Sequence, residues 1–239
     1  MLRQTLLTIA ATATLAFAAS PAKAATEIFF GNFATPSGCQ ALVGGQAGVV
    51  CPNNLSFSGG AAGNLTATGW SGNPGTTTQT FLTFKAVPPN STNEGGLGQN
   101  DTGPGNSPAG CSDSPDCEIN SNHSVAISAS VLLSQVDVLI GSAQTTEEFN
   151  VWAGTSLATL IEVATGLSNA NCKLVSADLC EFDLATPATV IAIQDNNSAD
   201  PTADVLVTAI STAAPEPASL ALLGVGLLGL GMVVKRRRA

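Results

Sequence analysis

Between residues 25 and 211 apolar and polar side chains alternate with a period of two, and no segment there sustains a period of 3.6. Val125, Ile127, Ala129 and Val131 alternate with Ala126, Ser128 and Ser130. Val136, Val138 and Ile140 alternate with Asp137 and Leu139, and Phe149 and Val151 with Asn150 and Trp152. Successive side chains of a strand point to opposite faces, so this pattern predicts half-buried strands. The β-branched-rich runs Val190–Ile193 and Val205–Ile210 add two more. Earlier strands are expected at Glu27–Phe33, Leu55–Ser58, Leu65–Thr68 and Phe81–Val87. Turn clusters such as Ala153-Gly154-Thr155 and Asp195-Asn196-Asn197 separate several of them. Ser156 to Val163 reads equally as two helical turns or as a strand. Many short strands with Gly/Asn/Ser turns and no internal repeat predict an all-β domain over residues 25–211. The expected form is a two-sheet β-sandwich, jelly-roll-like.

Residues 88–122 break the pattern. Gly, Asn, Ser, Asp and Pro dominate, and a long functional or disordered loop is expected. All six cysteines lie in the body, as the close pairs Cys39/Cys51, Cys111/Cys117 and Cys172/Cys180. Six cysteines allow 15 pairings; pairing within each close pair is the expectation. None of the pairs has the C-x₂₋₄-C spacing of a zinc site.

The two ends read as targeting segments. Residues 1–24 carry a positive start at Arg3, an apolar region from Leu6 to Ala19, and a small-x-small site for signal peptidase at Ala22-Lys23-Ala24. At the other end, residues 212–239, Pro215-Glu216-Pro217 precedes 17 uncharged residues, Ala218 to Val234, and then Lys235-Arg236-Arg237-Arg238. As a helix the uncharged run reaches about 26 Å, the short limit of a membrane span. The basic cluster would stop transfer on the cytoplasmic side, leaving the body outside. Gly224 to Gly229 spells G-x-G-x-x-G, but no acidic residue can follow some 20 positions on, so a nucleotide site is rejected.

The tail, in its three parts and their order, resembles the sorting tail of bacterial PEP-CTERM proteins. The resemblance implies handling by an exosortase, a membrane protease or transpeptidase acting near Pro215-Glu216-Pro217. It implies secretion across the inner membrane, transient anchoring by the C-terminal helix, and delivery to the cell surface or extracellular matrix of a Gram-negative, biofilm-forming bacterium. Two further stretches are similar to a pattern seen in many bodies of that kind: Gly96-Leu97-Gly98, and Glu118-Ile119-Asn120.

Only Lys85 and Lys173 oppose sixteen carboxylates in the body, a formal charge of −14 there. Such a surface repels phosphate backbones, so no nucleic-acid partner is expected. His123 is the one histidine, no serine sits in G-x-S-x-G, and Tyr is absent. The adjacent Glu147 and Glu148 would point to opposite faces of a strand, leaving Glu162, Glu181 and Asp183 to be paired by the fold. No catalytic set emerges, and a non-enzyme is expected. A structural calcium is the one cofactor considered. Asp101, Asp113, Asp116 and Glu118, with Asn100, form one oxygen-rich group, and Asp195, Asn196, Asn197, Asp200 and Asp204 a second, neither with EF-hand spacing. Trp70, in a Gly-flanked stretch that reads as a loop, and Trp152, alternating away from the core, are the candidate platforms for a carbohydrate. The expectation is an exported structural or interaction protein of the exopolysaccharide matrix. The alternative is a carbohydrate-binding module, calcium-assisted.

Overall fold

The structure, a computed structural model, describes residues 25–30, 33, 36–41, 48–58, 62–75, 78–85, 95–100, 118–119, 123–133, 136–144, 146–176, 178–196 and 205–213. Residues 25 to 213 form one compact unit. Residues 1–24, expected to be a signal peptide, and the tail beyond residue 213 lie outside the described residues, as do Cys111, Cys117, Asp101, Asp113 and Asp116. Among the described residues no helix is long and apolar enough to cross a membrane.

The fold is all-β, with fifteen strands among the described residues. In chain order they are β1 Ala25–Phe29, β2 Gln40–Ala41, β3 Val49–Cys51, β4 Asn54–Ser58, β5 Asn64–Trp70, β6 Gln79–Lys85, β7 Gly96–Asn100 and β8 Ser124–Leu133. There follow β9 Val136–Gly141, β10 Phe149–Gly154, β11 Ile161–Leu167, β12 Lys173–Ser176, β13 Leu179–Leu184, β14 Ala188–Asp195 and β15 Leu206–Ala213. All pairings are antiparallel and join into one curled sheet, in the order β11-β10-β14-β8-β5-β6-β7-β15-β9-β13-β12.

Strand β6 makes the bend. Its first residues, Gln79 and Thr80, pair with Trp70 and Gly69 of β5. From Phe81 to Lys85 it pairs with β7, and Leu82 to Phe84 also pair with β3. The far ends of the sheet, β11 and β12, are consecutive in the chain and are linked by residues 168–172. One apolar cluster takes side chains from both arms. Leu65, Ile127, Ile191 and Phe149 come from one; Phe84, Leu97, Ile140 and Val207 come from the other. For Ile127, Ile140 and Phe149 the phases read from the sequence agree with this inward placement, whereas Leu97 lies where a loop was expected.

Several expectations are corrected. β1 starts at Ala25 and ends at Phe29, short of Phe33. The stretch 88–122 is not wholly a loop: Gly96–Asn100 is a strand between β6 and β15, and Ile119 bridges Val205. Gly-Leu-Gly-Gln-Asn has poor strand propensity, and tertiary context overrides it. A Cβ on Gly96 would lie 2.6 Å from the Val207 carbonyl oxygen, so only glycine admits this approach. Ser156 to Val163 divides into a 3-10 turn, Leu157–Thr159, and the start of β11. Two of the expected disulfides are present, Cys39–Cys51 and Cys172–Cys180. The second closes the β12–β13 hairpin.

Candidate functional site

The polar face of the β10–β14–β8–β5 arm is built by register. Asn150 stands opposite Gln194, Gln194 opposite Ser124, and Ser124 opposite Trp70. The next row on the same face is Trp152, Ala192, Ala126 and Thr68. Directly opposed residues share a face, so the two tryptophans flank a floor of two alanines. Trp70 packs on Ala126, Val190 and Ala192, with Trp152, Leu157 and Leu160 against the same cluster.

Amide side chains hold this face. Trp152 Nε1 donates to Gln194 Oε1 at 3.0 Å, and Gln194 Nε2 donates to Asn73 Oδ1 at 2.8 Å. Ser124 Oγ donates to the Gly72 carbonyl at 2.8 Å. These bonds tie the turn at residues 71–75 to the sheet. Gly75 lets that turn seat on the 3-10 segment: its φ is +79°, and a Cβ there would lie 2.6 Å from the Leu157 carbonyl oxygen. Beside it Asn150 Oδ1 accepts from Thr165 Oγ1 and from the Gly166 amide, both at 3.0 Å, and Asn150 Nδ2 donates to Asn196 Oδ1 at 3.2 Å.

The expectation for Trp70 is corrected. It is the last residue of β5, only 7% exposed, and its Nε1 has no hydrogen-bond partner among the described residues. A buried ring offers no platform. Trp152 is half-buried, on the face opposite Phe149 and Val151. The Trp152–Gln194–Asn73 chain could not be read from the sequence, because the three residues meet only through strand pairing and a turn.

The other arm carries an acidic group. Asp137 of β9 stands directly opposite Asp183 of β13, and Glu181 shares Asp183's face two residues away. The carboxylate oxygens of Asp137, Glu181 and Asp183 lie within 4.8 Å of one another. Partial burial pushes the Asp137 carboxyl above its ordinary 3.8, and the charges of Asp183 and Glu181 push it further. Lys173 of β12 bonds Glu181 and lies 3.8 Å from Asp183. The hydrogen bond to Glu181, first, and the surrounding carboxylates hold the Lys173 ammonium above its ordinary 10.5. Glu181 and Asp183 were singled out in the sequence; Asp137 was read only as a polar strand position. Glu147 is buried and accepts from the Gln144 amide, whereas Glu148 is exposed.

Lys85 and Glu118 form a buried ion pair. Nζ donates to Oε1 at 2.6 Å, and each side chain is 3% exposed. The Glu118 carboxylate is thereby paired with an ammonium, while its fellow calcium candidates Asp101, Asp113 and Asp116 lie outside the described residues. Gly96-Leu97-Gly98 lies in strand β7, and Glu118-Ile119 is held by the buried ion pair and a bridge to Val205. Asp195 is 1% exposed, and its amide donates to the His123 carbonyl at 3.1 Å. Asn100, whose backbone ends β7, is the partner of Phe81. Asn197, Asp200 and Asp204 lie outside the described residues.

Residues 213–238 match the PEP-CTERM protein-sorting motif. The chain therefore carries that motif at its C-terminus, and with it the mark of export and sorting to the cell envelope or beyond. No curated protein matches the chain. Among solved structures, the chain is similar to a truncated AlyQ with CBM32 and alginate lyase domains at 19% identity and a TM-score of 0.30, over 41% of this chain and 26% of that one. It thus spans about a quarter of that protein's length. The CBM32 of AlyQ in complex with 4,5-unsaturated mannuronic acid is 16% identical over 39% of this chain and 72% of that one, with a TM-score of 0.29. CpGH89CBM32-5 from Clostridium perfringens, in complex with GalNAc-β-1,3-galactose, is 11% identical over 66% of this chain and all of that one, with a TM-score of 0.34.

Proposed function

We propose that this is an exported protein that an exosortase processes at its tail and that serves a structural or interaction role at the cell surface or in the exopolysaccharide matrix. The observation that carries the reading is the sorting motif, at residues 213–238, directly after a compact all-β unit ending at Ala213. Two disulfides in that unit fit an oxidising compartment outside the cytoplasm. Sixteen body carboxylates against two lysines keep such a unit soluble and turn it away from nucleic acid. The test is the intact mass of the protein recovered from its own cells. A chain ending near Pro217 is expected. A mass that includes Arg238 would mean a retained tail and would remove the exosortase from the account.

A second reading, carbohydrate binding, rests on Trp152. Its ring is half-buried: Gln194, itself bonded to Asn73, holds the N–H, part of the indole packs on the Trp70–Ala192 cluster, and the exposed remainder is offered for stacking on a sugar ring. Co-sedimentation with the cell's own exopolysaccharide tests it. Trp152→Ala should weaken retention about tenfold, by analogy with a lost aromatic contact of ~1.4 kcal/mol. Equal retention of both proteins would dismiss this reading.

A further inference from the structure

The two ends of the compact unit meet in one ladder. β1 runs antiparallel along the C-terminal part of β15, with Ala25 opposite Ala213, Thr26 opposite Thr212, Glu27 opposite Ser211, Ile28 opposite Ile210 and Phe29 opposite Ala209. The other edge of β15 is taken by β9 as far as Thr212, opposite Val136. From Ala209 to Thr212 the strand is therefore paired on both edges. Pro215 begins two residues after the last rung, a reach of at most about 7 Å.

A protease or transpeptidase holds its substrate as an extended segment and engages the main-chain N–H and C=O groups, as an added strand does. The segment just before the sorting motif already has β1 on one edge and β9 on the other. We propose that β1 and the processing enzyme compete for the same edge of β15, so that the outer rungs of the β1–β15 ladder must open before the chain is cut. This rests on the reading that the tail is processed.

The sequence of β1 divides it accordingly. Its inner end is anchored: Ile28 is buried in the core, Phe29 packs with Leu139, Leu179 and Ala209, and Phe30 follows fully buried, its ring 5.2 Å from that of Phe57. The outer rungs carry Ala25, Thr26 and Glu27, with no large apolar residue among them. Strand ends without apolar anchors open at low free energy, whereas anchored rungs open with the whole domain. The ladder is thus built to fray from the end that is next to the motif in the chain.

The experiment uses the full chain expressed in its own cells, with the fraction processed followed by intact mass. Thr26→Cys with Thr212→Cys places a cross-link over one outer rung in an oxidising compartment, and the loss of two hydrogens in the mass confirms it. The cross-linked chain should be processed at least about tenfold more slowly than the wild type, because the rung can no longer open. Each single variant should match the wild type. A flexible insert of about six Gly/Ser residues between Ala213 and Ala214 should restore processing of the cross-linked chain, and in the wild-type background should speed it at least about threefold. Wild-type rates in the confirmed cross-linked chain would overturn the proposal; should the cross-link fail to form, an insert variant processed no faster than wild type would do so. A wild-type chain that keeps its tail would instead overturn the processing reading itself.

Discussion

Asp137 illustrates how a single residue's chemistry is set by what lies across the sheet from it. Its carboxyl is raised by burial and by Asp183 and Glu181, so the folded protein holds the proton more tightly than the unfolded chain does. For a raised carboxylate the stability is fully present below the unfolded value of 3.8 and is lost as the pH rises through the folded value. Asp137→Asn should therefore raise the melting temperature at pH 7 by about 1–3 °C and leave it unchanged near pH 3.8, as read by calorimetry at the two pH values. A second residue-scale case is Glu118. Its removal leaves the Lys85 charge buried without this carboxylate, and Glu118→Gln should cost about 3–5 kcal/mol in urea unfolding. Replacing both partners, by Lys85→Met with Glu118→Leu, should recover most of that loss, because the cost comes from an unmatched charge rather than from lost attraction.

Strand-scale behaviour follows from where each strand lies in the curled sheet. β14 is paired on both edges and covered on both faces: Ile191 and Ile193 enter the main cluster, Val190 and Ala192 the second. That double cover explains a nearly continuous apolar run in place of alternation. β12 is the opposite case. It ends the sheet, all four of its residues are exposed, and Leu174 and Val175 are about half exposed. The hairpin it forms with β13 depends on Cys172–Cys180, whose partners are eight residues apart. Cys172→Ser with Cys180→Ser should lower stability by about 2–3 kcal/mol in the chain-entropy account. Hydrogen exchange should show lost protection concentrated in β12, with β9 and β15 little changed.

At the scale of the molecule, the main apolar cluster takes side chains from both arms, and each arm adds only one small cluster of its own, so the two arms should unfold together. Phe149 is fully buried in that cluster. Phe149→Ala should cost about 3–5 kcal/mol and move the urea midpoint of a single transition, its slope unchanged. Two separate transitions would show that the arms unfold independently.

Period-two alternation was sufficient to state an all-β body, because side-chain phase in a strand is local: Phe149 and Val151 must point one way and Asn150 and Trp152 the other, whatever the partners. The sorting tail was equally legible, since its parts are contiguous in the chain. Proximity of cysteines in sequence found Cys39–Cys51 and Cys172–Cys180 for the same reason. Register is not local. Strand β7 was hidden in Gly-Leu-Gly-Gln-Asn because its pairing depends on the close approach of Val207 to Gly96. The Asp137–Asp183 contact, the Gln194 link from Trp152 to Asn73, the Lys85–Glu118 pair and the burial of Trp70 each join segments far apart in the chain. The pairing of Ala25 with Ala213 is the longest of these joins, and it was decided only when the sheet curled and brought β1 beside β15.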